Sequence, residues 1–283
     1  MNKIKVSIFI ISINLLALLS CNNANNKKAA DIQDDTISVK TDNDTISVKT
    51  DSVVIRNKLG DFEYVAEVPS NNEQLHRLVC EWISEQLGGY YQGSYSEITP
   101  VLRIAADSAV AEVKEYAKEF EKGKGVDLPA SSSSCFSFRK AAEGQDYATW
   151  TNDGFKYLAT AAHGIMPYSG QTFRKSDGRR IGWEVLRNTD SDGFQKLLRD
   201  GLKQYFEIKS DSELKDCLMF VDINSIPLPK CQPLFTSKGI SFVYNQYEIT
   251  GYAAGLPTFT IGYDKLDAYL TATARNLVSP KSR

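Results

Sequence analysis

Residues that bind metals or transfer protons are scarce in this sequence. It contains two histidines, His76 and His163, and neither has a histidine or cysteine partner at the spacing of a metal site. No Cys-x-x-Cys pair, phosphate-binding loop, dinucleotide fingerprint or G-x-S-x-G nucleophile motif occurs. We therefore expect no metal, no cofactor and no catalytic residue, and the pattern favours a protein that is not an enzyme.

An excess of positive charge is also missing. The net charge is −2 over 283 residues, and lysine and arginine are spread along the chain. A nucleic-acid-binding surface requires a basic patch or stripe, so we expect no nucleic-acid partner.

The sequence lacks the run of about 20 apolar residues that a membrane-spanning helix needs. Its longest apolar stretch, Val6 to Leu19, follows two lysines and ends at Leu18-Leu19-Ser20-Cys21. A cationic start, a short apolar core and a small residue before a cysteine predict a lipoprotein signal peptide at residues 1–21, with the lipid on Cys21. The alternatives are an ordinary signal peptide with a chance cysteine, or an uncleaved anchor. The lipoprotein interpretation predicts a membrane partner reached through Cys21, and a cell-envelope location on the periplasmic or cell-surface side.

Residues 22–52 are polar and contain a tandem repeat, DTISVKTD at 35–42 and again at 44–51. The repeat could form two strands, because isoleucine and valine alternate with polar residues. Such short segments bury too little apolar surface to offset the entropy of ordering, so we interpret residues 22–52 as a disordered tether.

The remaining residues show strand and helix patterns in alternation. Amphipathic helices are predicted over 75–87, 106–120 and 194–206, and a further helix from Asp264. Period-two patterns lie at 53–66, 136–159, 240–249 and 258–263, with a tight hairpin predicted at Asn152-Asp153-Gly154. These signals predict an α+β fold, an antiparallel sheet with helices packed on one face. We assign residues 53–144 to an N-terminal α+β domain and 145–283 to a C-terminal one.

Four cysteines follow Cys21, at positions 80, 135, 217 and 231. An oxidising compartment permits disulfides. Cys217 and Cys231 flank a short proline-rich stretch and are the pair most simply bridged. Four buried free thiols are the alternative, since cysteine counts do not reveal pairing.

Three tyrosines, Tyr90, Tyr91 and Tyr95, lie in the glycine-rich segment Gly88 to Ser96. Exposed tyrosines can stack on sugars or fill a protein pocket, so these three are candidate binding residues. Alternatively, they pack against their own domain.

His163 lies where small residues are followed by glycine and proline, a pattern that marks a sharp turn after a strand. A catalytic histidine would need a nucleophile and an orienting carboxylate, and sequence spacing reveals neither. We favour a structural imidazole that hydrogen-bonds nearby backbone, and keep His163 as a candidate binding residue.

A family resemblance rests on YLATAAHG at 157–164, GWEVL at 182–186, YEITGYAAG at 247–255 and FTIGYDKL at 259–266. These motifs, within residues 145–270, resemble a domain of unknown function that forms the extracytoplasmic part of the lysozyme-binding anti-sigma-V factor and accompanies some peptidoglycan deacetylases. The family's usual N-terminal companion domain corresponds to 53–144 by position. The resemblance implies a cell-envelope recognition domain. Sigma-factor regulation is not carried over, because no sigma-binding segment is evident.

The sequence therefore predicts a membrane-anchored lipoprotein that binds a lysozyme-like protein or a peptidoglycan or other glycan ligand without catalysis. An envelope hydrolase using His163 and a purely structural lipoprotein are the alternatives.

Overall fold

The computed structural model describes residues 45–219 and 221–278, so Cys21 and residues 22–44 of the predicted tether lie outside the described part. Within it no helix has the length and apolar character needed to cross a membrane. The strands and helices follow in the order β1 (Val48–Asn57), β2 (Gly60–Pro69), α1 (Glu73–Gln86), α2 (Thr99–Lys124), β3 (Ser132–Glu143), β4 (Tyr147–Tyr157), β5 (Tyr168–Arg174), β6 (Arg180–Ile181), α3 (Asp192–Phe206), α4 (Asp211–Cys217), β7 (Leu234–Thr236), β8 (Gly239–Val243), β9 (Thr258–Gly262), α5 (Tyr263–Leu266) and α6 (Ala272–Val278).

Two sheets organise these elements. Strands β1 to β6 form a sheet in sequence order, and β7, β8 and β9 form a second, antiparallel sheet. In the first sheet only β2 and β3 run parallel. Parallel neighbours require a long crossover connection, which α1 and α2 supply. The α+β class is confirmed, with a sheet that is mostly antiparallel.

The first core lies where α1 and α2 cover one face of the six-stranded sheet. Alternate residues of β2 point into it and are buried, from Phe62 to Val68. From α1, the apolar stripe that includes Leu75, Val79 and Ile83 faces the same core.

The second core lies on the other side of the sheet. Tyr147 and Trp150 are an odd number of residues apart on β4, so they face opposite sides, Tyr147 into the second core and Trp150 into the first. A buried threonine pair joins the two sheets: the Thr149 hydroxyl donates to the Phe235 carbonyl (2.8 Å), and the Thr172 hydroxyl accepts from the Phe235 N–H (3.1 Å). Helix α3 packs on β9 and completes this core.

The predicted boundary at 144/145 falls in the turn between β3 and β4, and one sheet runs across it. The described residues, 45–219 and 221–278, all lie within one compact unit. The two cores nevertheless fall mainly on either side of the boundary, and the division into two domains stays a prediction.

The predicted tether extends too far. Strand β1 begins at Val48, inside the second repeat, and pairs with β2 over its whole length, from Val48 opposite Pro69 to Asn57 opposite Gly60. Ile46, also assigned to the tether, is buried in the first core. Tertiary pairing supplies the burial that this segment cannot provide alone.

An ion cluster holds the chain where it joins the sheet. The Glu143 carboxylate accepts from the Ile46 N–H (2.8 Å) and lies 2.7 Å from Lys140 Nζ and 2.6 Å from Lys175 Nζ. Burial alone would raise the pKa of Glu143, but hydrogen bonds from the two lysines and the Ile46 N–H outweigh it, so the pKa lies below its ordinary value. Glu143 is therefore an anionic anchor for the start of the described chain.

The hairpin predicted at Asn152-Asp153-Gly154 is wrong. Strand β4 continues through these residues, with Asn152 opposite both Phe138 and Ser169. Asn152 is buried, because strands on both sides cover it. The actual turns lie at Gly144, whose N–H donates to the Tyr147 carbonyl, and beyond Tyr157.

The sheet has two distinct ends. The proximal end, where the described chain begins, carries Ile46, Pro69 and Glu143. The distal end carries Gly60, Ser132 and Tyr157. Because β4 has 11 residues, the ends are about 35 Å apart.

The predicted bridge between Cys217 and Cys231 is absent, and both are free thiols, as are Cys80 and Cys135. Cys231 is buried beside Leu234 and Val243, whereas Cys217 ends α4 and is half-buried. The alternative of four buried free thiols holds in part: all four thiols are free, but only Cys80 and Cys231 are buried.

Candidate ligand-binding groove

The tyrosine-bearing loop connects the distal end of α1 to the start of α2. It begins at Gly88 and Gly89, which adopt positive φ angles of 102° and 69° that favour glycine. The turn that they make projects Tyr90 from the surface, where it is 65% exposed. Tyr90 is one of few large apolar side chains so exposed among the described residues.

Tyr90 forms one wall of a groove of about 420 Å³ between α1, α2 and the sheet. Its lining combines aromatic, small and charged side chains: Tyr64, Gln86, Leu87, Gly88, Tyr90, Ala105, Ser108, Ala109, Glu112, Phe136 and Lys156. Ala105, Ser108, Ala109 and Glu112 recur at helical spacing, so one face of α2 forms the opposite wall.

The floor of the groove is aromatic. The Tyr64 and Phe136 rings stack with centroids 5.6 Å apart and planes 13° apart. The Tyr64 hydroxyl lies 2.8 Å from Ser134 Oγ, and burial, the largest cause, raises the pKa of Tyr64. Gly154 lies opposite Phe136 in the ladder, and a Cβ there would lie 2.9 Å from the Phe136 ring. A glycine at this position therefore leaves room for the floor.

Charges of both signs lie on the rim. Lys156 Nζ lies 5.8 Å from the centroid of the Phe136 ring, a cation–π arrangement. Glu112 lies on α2 and is close enough to Tyr64 to contribute to its raised pKa. Within the described residues, neither charge has an oppositely charged partner within 4 Å.

The other two loop tyrosines do not line this groove. The Tyr91 and Tyr95 rings contact each other at 5.5 Å, and both pack against the first core. The Tyr91 hydroxyl donates to the Ser94 carbonyl (2.8 Å). These two tyrosines therefore pack against their own domain. A role in ligand binding for any of the three tyrosines stays a prediction.

His163 lies in the loop between β4 and β5, beside two tyrosines of the 247–255 segment. Its ring stacks on Tyr252 with centroids 3.8 Å apart. Its Nδ1 lies 3.0 Å from the Gly164 carbonyl, which can only accept, and its Nε2 lies 3.3 Å from the Tyr247 hydroxyl. The expected hydrogen bond to nearby backbone is present, although the side chain is exposed.

The surroundings of His163 do not suggest catalysis. Its hydrogen bonds within the described chain involve a carbonyl and a phenol, and no carboxylate orients the ring. Across that same part of the chain, no group of three metal-ligating side chains forms a site. Exposed apolar side chains lie nearby: Ile165 and Met166 follow His163 in the same loop, the Phe155 ring lies beside Gly164, and the Tyr247 ring lies 6.4 Å from the imidazole.

The groove and the His163 loop share the distal end of the sheet. Lys156 exchanges two backbone hydrogen bonds with Ile165, while its side chain lines the groove. Helix α2 reaches the same loop through a hydrogen bond between the hydroxyls of Tyr116 and Thr160. The structure thus brings Tyr90 and the His163 loop to one end of the sheet without direct contact between Tyr90 and His163.

Sequence reasoning did not identify four groove residues, Tyr64, Glu112, Phe136 and Lys156. Tyr64 and Phe136 carry only the signal of buried strand residues, and they are core residues as well. Lys156 lies just after residues 152–154, where the sequence predicted a hairpin that the structure does not contain. Only the exposed loop position of Tyr90 could be found without knowing which strands are neighbours.

Comparison with known proteins agrees with this fold. Residues 191–264, from α3 to α5, match the DUF3298 family, described as a protein of unknown function. A solved DUF3298 family structure from Bacteroides fragilis superposes with a TM-score of 0.67 at 17% identity, covering 85% of this chain and 100% of the other. A second, from Pseudomonas aeruginosa, gives 0.57 at 13% identity, covering 85% and 99%. No functionally curated protein matches. The chain therefore contains a DUF3298 domain, and the structural matches show a shared fold.

Proposed function

We propose that this chain is a membrane-anchored lipoprotein of the cell envelope, and that it binds a glycan such as peptidoglycan in the Tyr90 groove without catalysis. The observation that carries the proposal is an exposed tyrosine, Tyr90, that lines a groove with polar and charged side chains above the buried Tyr64 and Phe136 pair. Aromatic faces bind the apolar faces of sugar rings, and the polar rim offers partners for hydroxyl groups. A volume of about 420 Å³ lies within the range of small-molecule sites.

The anchor has its own test. Replacing Cys21 with Ala should abolish incorporation of a fatty-acid analogue and release the protein from the membrane fraction. Labelling of the Cys21→Ala variant at the wild-type level would refute the lipid assignment.

Calorimetry with soluble peptidoglycan fragments tests the groove. If Tyr90 is a binding hot spot, Tyr90→Ala should weaken binding by about 2 kcal/mol, roughly 30-fold. The melting temperature should hardly change, because the side chain is 65% exposed. Tyr95→Ala is the matched control, since Tyr95 belongs to the same loop but lines a different cleft. Equal losses in both variants, or none in Tyr90→Ala, would refute the groove as the site.

A protein ligand resembling lysozyme is the second candidate, favoured by the exposed apolar residues around His163. Exposed apolar patches mark protein interaction sites in soluble proteins. Ile165→Ser should then reduce capture of lysozyme, whereas Val126→Ser, at another exposed aliphatic position, should not. Equal capture by wild type and Ile165→Ser would argue against this surface.

A further inference from the structure

The rim of the groove carries two charges that the protein leaves unpaired. Lys156 extends from β4 and Glu112 from α2, on different walls. Neither takes part in an ion pair within the described residues, although lysines and glutamates elsewhere, such as Lys118 and Glu115 on α2, do pair. The two side chains are thus available to a ligand.

The two walls fix where these charges lie relative to a bound ring. The Lys156 ammonium lies over the Phe136 ring on the sheet side, and Glu112 lines the α2 side. A saccharide stacked on the exposed Tyr90 ring within the groove would have a cation on the sheet side and an anion on the α2 side. Complementary groups on the ligand are an anion facing Lys156 and a cation facing Glu112.

Resting on the glycan-binding function proposed above, we infer that the groove selects saccharides that carry both a carboxylate and a protonated amine. A peptidoglycan disaccharide with its peptide stem is such a ligand, whereas an oligomer of N-acetylglucosamine carries neither charge. Selectivity arises because the neutral oligomer can use the aromatic surfaces but leaves both rim charges without partners.

Calorimetry with two probes tests the inference: chitotetraose, which is neutral, and a disaccharide–peptide fragment with free carboxylates and a free amine. Each exposed ion pair adds up to about fivefold in affinity, so the fragment should bind about tenfold more tightly than chitotetraose. Lys156→Gln and Glu112→Gln should each weaken binding of the fragment by about threefold, so that the two losses together account for the tenfold advantage, and should leave binding of chitotetraose unchanged. The advantage of the fragment should also shrink as salt is raised.

Matched controls exist on α2. Lys114 and Glu121 are both exposed, two and nine residues after Glu112. At about 100° per residue these separations are rotations of about 200° and 900°, and 900° equals two full turns plus 180°. Both side chains therefore lie on the side of the helix away from Glu112. Lys114→Gln and Glu121→Gln change the net charge equally and should leave both affinities unchanged.

The outcomes separate the two proposals. Equal affinity for the two probes, or equal weakening of both by Lys156→Gln, would leave glycan binding intact and overturn the charge selectivity. Binding of neither probe would overturn the glycan-binding function and this inference with it.

Discussion

The anionic anchor at the proximal end supports a quantitative prediction. Replacing Glu143 with Gln keeps the shape of the side chain but removes the charge that faces Lys140 and Lys175. Both lysines are largely buried, with 21% and 10% of their side chains exposed, and Glu143 itself is 16% exposed. Two ammonium groups would therefore lose their carboxylate where water replaces it poorly.

The magnitude follows from burial. Removing one partner of a fully buried ion pair costs about 3–5 kcal/mol. Here the cost should be lower, because the cluster is partly exposed and Lys140 still donates to the Ile46 carbonyl (2.5 Å). We expect Glu143→Gln to lower the free energy of unfolding by about 2–3 kcal/mol, and the melting temperature by roughly 5–10 °C.

The free energy of unfolding of the wild type and of Glu143→Gln should be compared over a range of pH, and the direction of the change can be predicted. Because the folded-state pKa of Glu143 lies below its ordinary value, the carboxylate stabilises the fold above about pH 4.3, and that contribution is lost as the pH falls through the folded-state pKa. The difference between wild type and variant should be complete at neutral pH and shrink in acid. Hydrogen exchange of the Ile46 amide should accelerate in the variant.

A surface carboxylate provides the control. Glu63 lies 3.3 Å from Arg56, with 45% and 65% of the respective side chains exposed, so Glu63→Gln should cost less than about 0.5 kcal/mol. Equal stability of Glu143→Gln and wild type at pH 7 would refute the anchor. So would a difference that persists unchanged in acid.

Two further predictions concern thiols and glycine packing. In the native protein, Cys217 should react with an alkylating reagent and Cys231 should not, because burial raises the pKa of Cys231 to about 12 and leaves almost no thiolate. Mass mapping that finds a Cys217–Cys231 bridge would contradict this prediction. Gly170→Ala should destabilise the protein by about 1–3 kcal/mol in urea titrations, because its Cβ would lie 2.4 Å from Leu234 Cδ2. The control Gly123→Ala, in open space on α2, should be neutral or stabilising.

The helices were predictable because each carries a local signal. The apolar stripes over residues 75–87 and 194–206 located α1 and α3, and the Ser191 side chain caps α3. Gly125 ends α2 in the left-handed conformation that favours glycine. Such signals depend on residues within one or two turns of each other, so the sequence alone carries them.

Strand limits depended on partners that the sequence does not reveal. The motif Asn152-Asp153-Gly154 favours a turn locally, yet Phe138 and Ser169 pair across it and keep β4 extended. The segment from Val48 is too polar to order alone, yet pairing with β2 makes it a strand. In both places tertiary hydrogen bonds outweigh local preference.

The candidate site shows the same division. The sequence by itself placed Tyr90 in a glycine-rich loop, because glycine and tyrosine spacing is local, but it did not decide whether the side chain is exposed or packed against its own domain. Only the tertiary structure decided that Tyr90 lines one groove with Phe136 and Lys156, residues 46 and 66 positions later in the chain. The parallel pairing of β2 with β3 and the crossing of α2 over them bring these side chains together, and a groove exists only once those long-range contacts have formed.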